Sequence, residues 1–205
     1  MSDDLKEELN YEIDFLVKTG FYDIEEILET IDDEFIDYNI DLDVVSNIIK
    51  NIYTKHNSTK SNSSDFNNLK KVFNSLSKQG IVSIHNCGYD PEEGIHDSIE
   101  VYTHLINNNY KPIGFVFYTL FDIETVLDDN YLSIYFGDFH GDKKVSNKLA
   151  NMIIKTLESF GFNLDWDNNP ENPIIINDFN WIKIFDNDNY FMEGAYDEFT
   201  QFNTN

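Results

Sequence analysis

The chain has 205 residues, of which 41% are hydrophobic and 15% aromatic, and it carries a formal net charge of -24 without a single arginine. Seventeen Phe and twelve Tyr supply enough apolar surface for a real core, which excludes a disordered acidic tail and leaves one domain, or one domain with a helical appendage. The charge excludes phosphate backbones and anionic membrane surfaces as partners and favours basic proteins.

The acids are unevenly placed. Residues 1–46 hold sixteen of them, from Asp3 to Asp43, against Lys6 and Lys18, whereas residues 47–88 hold six lysines against Asp65. In the first segment Leu5, Leu9, Ile13, Leu16 and Val17 recur at helical spacing and Gly20 follows as a stop, so a helix over about 3–19 is expected. A second helix over 24–36 places Ile24, Ile27, Leu28, Ile31, Phe35 and Ile36 on one face. Asp23, Glu25, Glu26, Glu29, Asp32 and Asp33 stand on the other, an intensely acidic outer surface. Asp41 is a cap for a third helix carrying Val44, Val45, Ile48, Ile49 and Ile52. Residues 1–56 thus read as an acidic helical subdomain, and the Asn/Ser-rich stretch 57–65 as a polar linker.

Residues 66–185 read as an α+β domain. Phe66, Leu69, Val72, Phe73 and Leu76 define a fourth helix ending at Gly80. Beyond it the period shifts toward strands at Ile81–Cys87, Ile113–Leu120 and Tyr131–Phe136, then at Phe162–Trp166 and Ile174–Ile176 after a helix over 143–160. Between the first two strands Pro91–Asn107 is helical, with Ile95, Ile99, Tyr102 and Ile106 along one side. Trp181–Phe185 is a further edge-strand candidate, and 186–205 an acidic, aromatic tail that docks on something through Tyr190, Phe191 and Tyr196. The expected architecture is an N-terminal helical subdomain followed by a mixed sheet of about five strands layered with helices.

Motifs that would name a reaction are missing. His85-Asn86-Cys87-Gly88-Tyr89-Asp90 joins a strand end to a helix start, where pockets in layered sheets form. Cys87 with His85, His96 and Asp97 nearby has the residue types of a thiol enzyme. The plainer reading is a small core residue, with Asp90 a helix cap and Pro91 a first-turn proline. Asp165, Asp167 and Asn169 begin a calcium-loop spacing that Pro170 and Ile176 break, and His96 and His104 stand two turns apart, so no metal site and no cofactor is expected. Gly137 to Lys144 has the wrong spacing for a phosphate loop and reads as a strand-to-helix turn. With one cysteine and no leader or membrane-length apolar run, the expected compartment is the cytoplasm.

Three segments carry a resemblance. They are Gly80-Ile-Val82 leading to His85-Asn86-x-Gly88-Tyr89 with Asp97, Glu100 and Tyr102; Gly114-Phe115-x-Phe117-Tyr118 with Asp122-x-Glu124; and Phe136-Gly137-Asp138 with Gly161-Phe162-x-Leu164-x-Trp166 and Phe179-x-Trp181. Together they resemble an uncharacterised bacterial family known only as a domain of unknown function, over most of residues 5–183. That family often carries a histidine and a glutamine just after the Phe-Tyr pair, where this chain has Thr119 and Phe121. The resemblance implies a bacterial cytoplasmic protein and supplies no activity.

Three classes of function follow, the third being a structural or housekeeping domain. The first is a protein-binding module that masks a basic partner, as an immunity protein masks a nuclease toxin, through Asp23, Glu25, Glu26, Glu29, Asp32, Asp33, Tyr190, Phe191 and Tyr196. Nucleic-acid mimicry is its variant, without direct nucleic-acid binding. The second is an enzyme or small-molecule binder with a pocket lined by His85, Asn86, Tyr89, Tyr118, Asp122, Asp138 and Trp166.

Overall fold

A computed structural model describes residues 2–58 and 65–203. It divides into two compact units: Met1–Ser64 with Ile182–Asp188, and Asp65–Trp181 with Asn189–Asn205. Of the polar stretch 57–65, residues 59–64 lie outside the described residues; Asn57 closes one helix and Asp65 opens the next.

The first unit is built from α1 (Asp3–Thr19), α2 (Ile24–Glu34) and α3 (Leu42–Asn57). Each helix has a side-chain cap: Ser2 accepts from Leu5 N, Asp23 forms a reciprocal capping box with Glu26, and Asp41 accepts from Asp43 N and Val44 N. Their apolar faces meet in one core of Leu9, Ile13, Leu16, Val17, Ile27, Ile31, Phe35, Val45 and Ile49. The edge strand expected over Trp181–Phe185 does not form: Trp181 ends the second unit's segment, and residues 182–188 are a strap on this helical unit. Lys183, almost fully buried, carries it: Nζ donates to the Gly20 carbonyl at 2.7 Å, meets Asp186 Oδ1 at 3.3 Å and lies 4.6 Å from the Phe21 ring centroid. Backbone geometry enforces glycine at position 20, because φ is 73° where α1 ends and a Cβ there would collide with the Lys183 carbonyl.

The second unit is α+β. Its five strands are β1 (Ile81–Ile84), β2 (Gly114–Phe117), β3 (Leu132–Gly137), β4 (Asn163–Asp165) and β5 (Ile174–Asn177), in the order β1-β2-β3-β5-β4. Only the β1/β2 pair is parallel, Val82 opposite Phe115, and it needs a crossover; α5 (Pro91–Asn107) supplies it. The other pairs are antiparallel, with Val116 opposite Phe136, Ile134 opposite Ile174 and Leu164 opposite Ile176. Strand alternation then sorts the two faces. Val82, Ile84, Phe115 and Phe117 face Val101 and Leu105 of α5 and Ala195 and Phe199 of α8 (Met192–Phe202). The opposite face meets α4 (Asp65–Lys78) and α7 (Lys143–Ser159), where Gly114 leaves room for Leu149. Helix α6 (Leu120–Asp129) packs on β3.

Two helices depart from the sequence reading. Residues 120–129, at the end of a predicted strand, are helical because Thr119 and Asp122 form a capping box: Thr119 N and Oγ1 donate to Asp122 Oδ2 at 2.9 and 2.7 Å, and Asp122 N donates to Thr119 Oγ1. Residues 192–202, expected as a tail, form α8, which packs on β1, α4 and α5 and so covers the terminal strand of the sheet. In α5 the buried side is Gly94, Ser98, Val101 and Leu105, not the stripe Ile95, Ile99, Tyr102 and Ile106, whose three isoleucines are each more than 40% exposed. Close approach decides it: a Cβ on Gly94 would strike the Phe117 ring and the Cys87 carbonyl, so only this side lets the helix settle onto β2.

Candidate functional site

His85 follows directly on β1, and its imidazole is enclosed by rings. Phe73 of α4 stacks on it at 4.4 Å between centroids, and Phe66, Tyr118 and Tyr190 approach tilted or edge-on at 5.4–5.6 Å. Nδ1 lies 2.9 Å from the Tyr118 hydroxyl. His85 is 5% exposed and Tyr118 0%, and burial pushes the Tyr118 phenol well above its ordinary value, so it stays neutral. An imidazole beside a phenol is a general acid–base pair by residue type, but no substrate reaches one packed between four aromatic rings. Trp181 closes the same cluster against Phe66 and Tyr118.

The other expected pocket residues are not gathered there. Asn86 is buried beside His85 in a left-handed turn with φ of 49°, a conformation asparagine tolerates. Tyr89 is exposed, its N–H donating to Glu93 Oε2. Asp122 is the capping carboxylate of α6, and burial raises its pKa against the hydrogen bonds from Thr119 and Ser133. Asp138 takes the N–H groups of His140 and Asp142, each at 2.9 Å, so the turn from β3 to α7 is filled by its own carboxylate and presents no open nest to an anion. Trp166 packs edge-on against Phe136 and donates to the Asn169 carbonyl. What looked like one pocket is a core histidine–tyrosine pair plus turn and cap chemistry, with residues 87–89 hydrogen-bonded alongside 118–121 and Asp138 and Trp166 engaged in their own turns.

Cys87 is buried as well. Its Sγ lies 3.4 Å from the Gly94 carbonyl and 3.9 Å from Asp97 Oδ2, and burial, with the Asp97 charge, pushes the thiol far above its ordinary range. A thiol held protonated is not a nucleophile. Asp90 caps α5 by accepting from Glu92 N and Glu93 N, and Pro91 takes the first turn. Among the described residues no group of three or more His, Cys, Asp or Glu is placed to hold a metal ion. No helix among them is long and apolar enough to cross a membrane.

Of the expected partner-binding residues, Glu25, Glu26, Glu29, Asp32 and Asp33 are exposed on α2, while Asp23 is half-buried as its cap. Tyr190 is a correction: it lies in the core against Phe66 and His85, with its hydroxyl accepting from Lys70 Nζ at 3.0 Å, and offers nothing to a partner. Phe191 is the half-buried residue that precedes α8. Tyr196 lines a groove of about 420 Å³ between α5 and α8, together with Val101, Met192, Glu100, His104, Glu193 and Asp197. Sequence reasoning missed this groove because it treated α8 as a tail. The signal was there in Met192, Ala195, Phe199 and Phe202, spaced as one helical face.

The helical unit and the mixed five-stranded sheet covered by helices define an α+β protein with an N-terminal helical portion. The chain belongs to the family described as a domain of unknown function (DUF6891), whose model matches residues 2–185. No curated protein and no solved structure matches it.

Proposed function

We propose that the protein is an acidic protein-binding module that masks a basic partner, in the manner of an immunity protein for a secreted nuclease, and that it works in the bacterial cytoplasm. The observation that carries this reading is the outer face of α2. Glu25, Glu26, Glu29, Asp32, Asp33 and Glu34 are exposed along an eleven-residue helix that contains no lysine. Surplus like-charge on one helix face is destabilising by itself, by a few tenths of a kcal/mol per close pair (~0.2–0.5), and an opposed surface relieves it. The same field accelerates encounter with a basic protein by about 10- to 1000-fold. A single cysteine supports a reducing compartment. The alternative of an enzyme built on His85 and Tyr118 draws no support from an imidazole enclosed by rings.

The test has two steps. A binding protein is captured from host extract at low salt, then purified and titrated against the acidic protein over a range of salt. A basic partner whose affinity falls steeply with salt, and whose association slows about tenfold in a Glu25→Gln, Glu29→Gln, Asp32→Asn, Asp33→Asn variant, supports the reading. A partner that is neutral or acidic, or one indifferent to salt, overturns it.

A further inference from the structure

We infer that the groove between α5 and α8 receives an amphipathic basic segment of that partner, with an apolar side chain on its floor and lysine or arginine head groups at its rim. The inference rests on the reading that the partner is a basic protein; it adds where the partner docks and by what chemistry.

The groove joins two kinds of surface that one occupant chemistry satisfies together. Val101, Met192 and Tyr196 supply apolar lining, and about 420 Å³ lies within the ordinary size of a ligand pocket, ~300–1,000 Å³. Glu100 from α5, with Glu193 and Asp197 from α8, set carboxylates around it on both walls. His104 is the basic side chain on the lining, and its Nε2 lies 3.8 Å from Glu100 Oε1; Glu193 and Asp197 on α8 are exposed. A purely apolar ligand would leave three carboxylates partly desolvated and uncompensated, and a small metal ion would not use the floor. Lysine and arginine do both, burying the stem along apolar surface while the head group reaches charge. Tyr196 adds a ring face of the kind cations favour. A second copy of this chain is a poor occupant, because a two-fold contact would set the same three carboxylates against themselves.

The probes are three synthetic helical peptides of equal length, one of leucine and arginine in amphipathic register, one with glutamate for arginine, and one with serine for leucine. Each is titrated calorimetrically into the full-length protein, and the contacted residues are mapped by amide shifts. The leucine–arginine peptide is expected to bind, with shifts on α5 and α8. A Glu100→Gln, Glu193→Gln, Asp197→Asn variant is expected to weaken it about tenfold, whereas the α2 amide variant leaves it unchanged. Equal binding of the serine–arginine peptide, or shifts and affinity loss confined to α2, overturns the groove while the basic-partner reading survives. If neither arginine peptide binds, the groove inference falls, and the basic-partner reading stands or falls on its own salt titration. Binding of the glutamate peptide, or self-association that the groove variant abolishes, also overturns the inference.

Discussion

Tyr118 places its hydroxyl 2.9 Å from His85 Nδ1 inside the core of the second unit, and Phe73 stacks on the imidazole while also touching the Tyr118 ring. The pair is a polar contact sealed by aromatic rings, which makes it a structural element of the α4–β1 interface. Tyr118→Phe removes one partner and leaves a ring nitrogen in an apolar box, so a loss of about 1–3 kcal/mol is expected. Tyr118→Ala adds a cavity and is expected to cost about 3–5 kcal/mol. Urea unfolding followed by tryptophan fluorescence checks both, since Trp166 and Trp181 lie in this unit. A Tyr118→Phe protein as stable as the wild type would show that the hydrogen bond contributes nothing.

Cys87 makes a sharper statement about chemistry. With its thiol buried and pushed up by burial and Asp97, it should resist alkylation and disulfide exchange at pH 8 in the folded protein and react fully once urea is added. Labelling rates followed by mass spectrometry check this. Rapid modification of the native protein would return a thiol enzyme to consideration.

Most of the helices and all five strands are legible in the sequence because period and punctuation agree there. Leu9, Ile13 and Leu16 repeat at helical spacing before Gly20, and apart from Asn163-Leu-Asp165 the strands are short apolar runs between Gly, Pro, Asn and Asp. The departures have two causes: in α5 tertiary contacts choose between patterns the sequence supports equally, whereas α6 and α8 carry local helical signals of their own. In α5 two stripes one residue apart both have helical spacing, and apolarity favours the isoleucines. The Phe117 ring, distant in sequence, selects the side that begins with Gly94. Of the polar residues read as a pocket, His85 and Tyr118 pair with each other in the core, while Asp122 and Asp138 are engaged locally, Asp122 by Thr119 and Asp138 by the turn it shapes. Thr119-x-x-Asp122 is the sequence signal for α6, a capping box that follows directly on the β-rich run.

The choice of face on α5 can be measured. Ile95→Gln with Ile99→Gln removes exposed apolar side chains and is expected to change stability by no more than about 0.5 kcal/mol per site. Leu105→Ala, on the buried side, is expected to cost about 2–5 kcal/mol. Reversal of that order in urea midpoints would mean that the helix is rotated from the position described.

Asp122, Glu198 and Asp97 all have carboxyls raised chiefly by burial, and Asp167, fully exposed and lowered by its hydrogen bonds to Asn169 and Asn172, runs the other way. A carboxyl whose folded pKa is raised binds more protons in the folded state. Stability therefore falls as pH rises from the unfolded value, about 4, through the raised folded value, and is flat above it. Asp167 acts only as pH drops below that range. The second unit is thus expected to be more stable at mildly acidic pH than at neutral pH. Asp122→Asn should flatten part of that slope while keeping an acceptor for the Thr119 N–H. Urea midpoints of both proteins at pH 5 and pH 7.5 provide the check, and a wild type that gains stability between those values would contradict it.

Lys183 fixes the strap of the first unit with a charge in the interior. Its Nζ satisfies the Gly20 carbonyl and meets Asp186, whose side chain is 43% exposed and can rehydrate when the lysine is removed. The loss should therefore come mostly from packing and from the stranded carbonyl, not from an orphaned carboxylate. Lys183→Ala is expected to destabilise the helical unit by about 2–4 kcal/mol, less than breaking a fully buried pair, and Lys183→Met to recover part of it by refilling the space beside Phe21. Because this unit contains no tryptophan, amide hydrogen exchange in α1, α2 and α3 is the measurement. Equal acceleration of exchange in the alanine and methionine variants would assign the whole effect to the ammonium and its two partners, and packing of the stem would be ruled out.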